Sequence, residues 1–503
     1  MGKRKTDHRT ERRDTGAPKS VKLTDFQRHY ELFLQIAAAV VVCFHFWLSV
    51  TRHMWAPENQ MFRSDILPPL MTADLWLAIL YGLAVLLYVM ISAAYLPKSF
   101  DRIKAAIKRY FSVDGLILMA LFLWYVVCCV VLGRGTTRLV VGYWPFVMDM
   151  GICVLILFPL PGILGRQQTR KVLDWVLHAI MAFSTCFVLW ALWHLFTLDI
   201  VKLPNGLSVG MDKGMTFYMG TNTNIGAAIG TTMVLICLYM ISAHRRAVRW
   251  IYAAALLPHL LAVLLTNSRA NFIALLVTLP MFVFLMIWHS GRKMALWPRL
   301  LTGLAAGVAV ALLFWFMRRW VFDLFEAVTH YSERLAAANS SIQAGKTAAA
   351  PLIATEGLMR DTGRLKIWPA SIRIMTSSVE KFFFGTPIGD YPALIQSTMK
   401  EMFKYNASKA HAHNIILQVG VTLGVPAMLA FIGYLVITLL RCLRVGLRKT
   451  GGEMQGAWVL PLCILALIIV NMFEPFIFLY FSAQGCLFCL FAGWVKALDK
   501  GET

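Results

Sequence analysis

The sequence predicts an all-α, polytopic membrane protein. Hydrophobic residues make up 58% of the 503, and charged residues only 15%. The mean hydropathy is +0.64. A water-soluble domain is not built from this balance. Apolar runs of bilayer length recur along the chain, and Lys and Arg gather in the connections and tails rather than inside those runs.

A membrane-spanning helix needs about 20 mostly apolar residues. Candidate runs fall at 31–50, 71–95, 113–132, 139–162, 172–197, 225–243, 250–267, 270–288, 298–317, 412–440, 457–473 and 476–495, which is about twelve spans. With the basic N-terminus inside, the short inner connections carry most of the Lys and Arg, as the positive-inside rule requires. An even number of spans puts both termini in the cytoplasm. The expected organisation is a basic cytoplasmic tail at 1–30, helices one to nine at 31–317, an extracytoplasmic loop or cap at 318–410, helices ten to twelve at 411–497, and a cytoplasmic tail at 498–503.

The polar N-terminal stretch lacks the pattern of a cleavable signal peptide and suits a disordered, lipid-attracted arm. The net charge of +22 has the same explanation: cytoplasmic loops face anionic lipid, and no nucleic-acid partner is needed. Phe100, Ile103, Ile107 and Tyr110 recur at helical spacing between cations, as in a helix lying in the interface. Of the ten cysteines, Cys128, Cys129, Cys153, Cys186, Cys237 and Cys463 lie in spans. Cys486 and Cys489 form a C-x-x-C in the last run, read as helix packing ahead of a redox or zinc role.

Within the long loop, 336–356 is small and polar and reads as a mobile lid or a loose linker. Leu365, Trp368, Ile372, Met375 and Val379 recur as on an amphipathic helix. Gly385 to Tyr391 then forms a turn. A cap packed on the outer membrane face fits this pattern.

The chemistry-bearing residues gather at the same expected face. Arg269 sits in Asn267-Ser268-Arg269-Ala270-Asn271, between two spans. It reads either as an arginine snorkelling to head groups or as a cation, held by Asn267, Ser268 and Asn271, that grips an anionic lipid head. The planar guanidinium fork suits phosphate. Arg364 would be a second cation facing the same surface, or a plain surface arginine. His411 and His413 precede the tenth run in Ala410-His411-Ala412-His413-Asn414. On a helix, spacing of two points their rings apart, so a general base or positioning group is expected ahead of a metal pair. Asn222 and Asn224 open the sixth run, as helix caps or binders of sugar hydroxyls. Gly420 and Gly424 read as close helix packing. Asp149 lies inside the fourth span, where a bare carboxylate costs about 3 kcal/mol, so it needs a partner or a route to water. No Asp-x-Asp occurs in the chain.

Four landmarks in order resemble the O-antigen ligase and O-antigen polymerase superfamily: Ser268-Arg269 opening a span, Gly363-Arg364 with Trp368, Gly385 and Gly389 with Asp390-Tyr391, and His413-Asn414 followed by Gly424. Ala427 stands where the family pattern has a small or aromatic residue, a mild departure. The resemblance covers roughly 220–480. It implies a GT-C-like glycosyltransferase with undecaprenyl-diphosphate glycan as donor. Arg269 and Arg364 would bind the diphosphate, and His413 would handle an acceptor hydroxyl. Asn414, Asn222, Asn224, Ser268, Trp368, Asp390, Tyr391 and His411 would contact substrate. Inversion is expected, and no metal or other cofactor is implied. Acceptors consistent with the motifs are a lipid or wall anchor, a growing lipid-linked chain, or a protein. A transporter or flippase and a non-catalytic scaffold are the competing classes. The absence of an internal repeat speaks against transport, and Asp149 speaks for it.

Overall fold

The computed structural model describes residues 18–55, 68–131, 144–203, 208–212, 216–219, 223–244, 247–290, 294–330, 363–387, 390–405, 411–448, 456–478 and 482–499. Asn222, Gly389 and the stretch 336–356 lie outside the described residues.

The chain is an α-helical bundle. Helices α1 (Pro18–Trp55) and α2 (Pro68–Tyr95) lead into the amphipathic α3 (Pro97–Tyr110) and α4 (Val113–Val126), which ends in a π turn at Val127–Val131. Next come α5 (Trp144–Ile152), a π turn Cys153–Leu157, α6 (Leu160–Leu164) and α7 (Arg166–Phe196). Helices α8 (Thr223–Ala243), α9 (Ala247–Leu265), α10 (Arg269–Ser290) and α11 (Leu296–Thr329) follow. The loop subdomain holds α12 (Arg364–Met375), α13 (Val379–Phe384) and α14 (Tyr391–Phe403). The chain closes with α15 (Ile415–Leu423), α16 (Val425–Leu447), α17 (Leu460–Asn471) and α18 (Ala483–Asp499).

Among the described residues, nine helices are long and apolar enough to cross a membrane, and ten if the pair α3–α4, bent by 68°, counts as one span. Ala457–Asn471 is apolar but shorter. Leu83, Leu86 and Leu87 on α2, and Leu301, Leu304 and Val308 on α11, are exposed. Apolar stripes of this extent on helix after helix suit lipid, not water.

Several boundaries differ from those read in the sequence. Helix α1 begins at Pro18, inside the stretch read as tail. Helix α11 runs on to Thr329 with Arg318 and Arg319 aboard, inside the stretch read as loop. Flanking polar residues continue a helix at no cost once its apolar part is formed, so hydropathy locates the apolar part and not the ends. The connection after α7 carries a small antiparallel sheet, β1 (Val201–Lys202), β2 (Ser208–Asp212) and β3 (Thr216–Met219), which the sequence reading did not anticipate. Val209 and Phe217 are fully buried, packed in a cluster with Leu195 and Phe325.

The amphipathic stripe expected in the loop is corrected. Leu365, Ile372 and Val379 are exposed, whereas Ile367, Ala370, Ile374 and Met375 are buried. This stretch carries apolar residues on two faces, and periodicity alone could not choose between them. Gly363 and Gly385 bound it with positive φ, and Ser378 caps α13 by accepting from the Lys381 N–H.

The expected tenth span is two helices. Gly424 (φ +92°) separates α15 from α16, and a Cβ there would lie 2.2 Å from the Phe383 carbonyl oxygen. At Gly385 a Cβ would meet Thr422 backbone at 2.3 Å. The loop subdomain therefore docks backbone to backbone on the α15–α16 junction. The Thr386 N–H donates to Val421 O at 2.6 Å, and Trp124 Nε1 donates to Leu423 O at 2.9 Å. Gly424 is needed for this break, not for the helix packing expected of it. Gly420 does pack closely, its Cβ position 2.5 Å from Met375 Sδ.

Gly424→Ala is expected to lower the thermal midpoint of the detergent-solubilised protein. The positive φ alone costs about 1–2 kcal/mol for a residue with a Cβ, and the carbonyl contact adds to it. An unchanged midpoint would show that the junction tolerates a side chain.

Candidate active site around Glu474

Four side chains from three other segments converge on the carboxylate of Glu474. Glu474 sits in the turn after α17 and is 2% exposed. Its Oε1 accepts from Asn224 Nδ2 at 2.8 Å, from His413 Nδ1 at 3.1 Å and from Arg364 at 3.5 Å. His411 Nε2 lies 3.5 Å from its Oε2. Burial alone would raise the pKa of Glu474. The hydrogen bond from His413 and the charges of His411, His413 and Arg364 outweigh that and hold it below the ordinary carboxylate value.

The histidines reach the same carboxylate because they are not on a helix. Asn414 is the N-cap of α15, its side chain accepting from the Ile416 and Leu417 N–H groups. Its Nδ2 donates to Met472 O at 3.3 Å, tying the cap to the Glu474 turn. His413 just before it takes φ +51°. That bend brings the two rings to 4.2 Å between centroids, which corrects the expectation that they point apart. His411 Nδ1 accepts from the His413 N–H at 3.3 Å. This assigns the proton of a neutral His411 to Nε2, the nitrogen facing Glu474. If Glu474 is ionised, His413 carries its proton on Nδ1, which leaves Nε2 as the basic atom. His411, His413 and Glu474 also present ligand atoms all within 4.8 Å of one another, so the three could hold a metal ion.

Asn224, in the first turn of α8, is oriented from behind. Its Oδ1 accepts from Ser268 Oγ at 2.8 Å, so its amide N–H groups face Glu474. Asn271 Nδ2 donates to Ser268 Oγ at 2.9 Å and to Asn224 O at 3.2 Å, and Asn271 Oδ1 accepts from Thr231. Ser268 and Asn271 thus orient Asn224, and Asn267 pairs with Arg318. Arg269 opens α10, half-buried, with the Arg318 guanidinium close enough to feel its charge. Arg269 follows Ser268, which hydrogen-bonds to Asn224 of the Glu474 network. Arg364 opens α12 over the Phe473 ring, 5.4 Å from its centroid. Its Nε is buried with no hydrogen-bond partner among the described residues.

Three expected site residues lie in the loop subdomain. Tyr391 is fully buried, its hydroxyl 2.9 Å from Ser371 Oγ. Trp368 packs on the same small core. Asp390 stands at the start of α14. Glu474 itself was legible as an acid beside Pro475 at the end of an apolar run, but nothing in the sequence showed that it faces His413.

The pH dependence of stability follows from the lowered pKa. The contribution of Glu474 is fully present above its ordinary value of 4.5 and is lost as pH falls through the lower folded value. In Glu474→Gln this acid-dependent loss should vanish, at a cost in neutral-pH stability on the order of 3 kcal/mol from the uncompensated partners. Thermal melts between neutral and acid pH test it, and parallel curves for the two proteins would sink it.

Residues 254–432 match the family model described as O-Antigen ligase. No curated protein matches the chain. The matched segment contains Arg269, Arg364 and His413, while Asn224 and Glu474 lie on either side of it. The match supports placing this segment in the O-antigen ligase and polymerase superfamily.

Proposed function

We propose that the protein is an O-antigen ligase-like glycosyltransferase. It moves a glycan from undecaprenyl diphosphate to an acceptor hydroxyl at the outer face of the bacterial cytoplasmic membrane, with both termini in the cytoplasm. The observation that carries this reading is the convergence of His413, His411, Arg364 and Asn224 on Glu474, with Ser268 hydrogen-bonded in behind.

In this reading, Glu474 fixes the His413 tautomer and stabilises the imidazolium that forms. His413 Nε2 takes the proton of the acceptor hydroxyl, whose oxygen attacks the anomeric carbon opposite the leaving group. The bond from that carbon to the diphosphate oxygen breaks, and the configuration inverts. The diphosphate leaves with its charge on Arg269 and Arg364. The Arg364 Nε, with no hydrogen-bond partner among the described residues, and the N-termini of α8, α10 and α15 support an anion here. The arginines neutralise the leaving group, so the step needs no metal. Asn222 and Asn224 contact the sugar or its linkage. Asp149, expected to need a partner, lies 2.9 Å from His45.

His413→Ala should reduce transfer by roughly 10²–10⁴ while leaving protein levels unchanged. Unaltered transfer would favour a scaffold. Arg364→Lys keeps the charge and loses the fork, so KM for the lipid-linked donor should rise more than kcat falls. An unchanged KM would remove Arg364 from the donor site. Glycans from a deletion strain separate the acceptors: accumulated full-length lipid-linked polymer marks a ligase, and accumulated single repeat units mark a polymerase.

A further inference from the structure

A second polar cluster lies inside the bundle, independent of the Glu474 site and of the function proposed for it. His45 of α1 is fully buried. Its Nδ1 lies 2.7 Å from Asp74 Oδ2 on α2, and its Nε2 lies 2.9 Å from Asp149 Oδ1 on α5. Cys153 stands one helical turn beyond Asp149 and shares its face. The donor atoms of His45, Asp149 and Cys153 lie within 4.8 Å of one another. From α18, the Cys489 thiol interacts with that of Cys153. Asp74 Oδ1 is buried with no hydrogen-bond partner among the described residues.

A hydrogen-bonded histidine between two aspartates would satisfy the imidazole, but it leaves the gathered thiols unexplained. Imidazole nitrogen, carboxylate oxygen and thiol sulfur on three elements form a mixed donor set that suits zinc, whereas magnesium and calcium require oxygen donors. Asp74 completes the pattern. A carboxylate accepting from one ring nitrogen fixes the tautomer and turns the other nitrogen's lone pair outward. Here that outward nitrogen faces Asp149, on the side where Cys153 lies.

We propose that His45, Asp149 and Cys153 bind a structural Zn²⁺ ion, with Cys489 as the fourth donor and Asp74 orienting His45. Binding displaces the protons of His45 Nε2, Cys153 Sγ and Cys489 Sγ, and all three leave to solvent. Two positive charges enter as three protons depart, so the net charge of the buried cluster falls by one. The ion would tie α1, α5 and α18 together in a lipid setting where apolar contact gives little preference between protein and lipid neighbours.

The test is the metal content of full-length protein purified from cells grown with Zn²⁺, and separately with Co²⁺. About one equivalent of zinc per chain is expected, with a thiolate-to-cobalt charge-transfer band in the cobalt-grown protein. Cys153→Ser should lose the band and the bound metal. His45→Gln serves as the second variant should Cys153→Ser fail to fold, and melting curves report folding for both. His413→Ala should retain the metal, which separates this cluster from the His411, His413 and Glu474 group. Metal-free wild-type protein from both cultures would overturn the proposal. So would metal that survives in folded Cys153→Ser or His45→Gln and disappears in His413→Ala.

Discussion

The site depends on one buried carboxylate. Glu474 is removed from water, and an ion so placed is tolerated only when its lone pairs and charge are matched. Every group that matches it comes from another part of the chain: Asn224 from α8, Arg364 from α12, and His411 and His413 from the approach to α15. The network therefore fixes where four segments end relative to one another. It also explains the local conformations that look unfavourable alone. His413 accepts a positive φ, a strain of about 1–2 kcal/mol for a non-glycine residue, because the bend delivers its ring to the carboxylate.

The opposite end of the bundle is held by a second set of charges. Asp114, at the start of α4, pairs with Arg441 of α16 and with Lys496 of α18 at 3.1 Å. Asp499 adds Arg444 at 2.7 Å. Arg102 and Glu31 join α3 to α1 at 2.9 Å. Helices in lipid gain little from excluding apolar surface against each other, so interhelical polar contacts set which helices meet and in what register. Polar clamps at both ends, with close-packed apolar residues between, leave little freedom for the Glu474 turn to shift.

The helical membrane architecture was legible because it depends on long-range composition. Runs of apolar residues fix a span without regard to what it packs against. The ends of helices and the faces of short amphipathic segments depend on neighbours, and there the sequence misleads. Leu365 and Ile372 look as suitable for burial as Ile367 and Ile374, and only the contact with α14 decides. The single apolar run from 412 to 440 hides a break, because a glycine at positive φ has the same hydropathy as one in a helix. His413, Arg269 and Arg364 could be named from local motifs. Glu474 could not, since its importance arises from contacts with residues 61 and 110 positions away.

The two histidine–carboxylate clusters in this bundle differ in a way that decides what each can do. Around Glu474 the acid is closed off, with 3% of its side chain exposed, yet the His413 and Arg364 side chains are each 21% exposed. A substrate can touch the imidazole and the guanidinium without disturbing the acid that orients them. Around His45 the imidazole is itself fully enclosed, and its carboxylates are 2% and 6% exposed at the side chain. A polyprenyl-linked sugar cannot reach that ring. The same pair of residue types therefore leaves an imidazole open to a substrate where the histidine stands between the acid and the surface, and closes it off where the acids enclose the histidine.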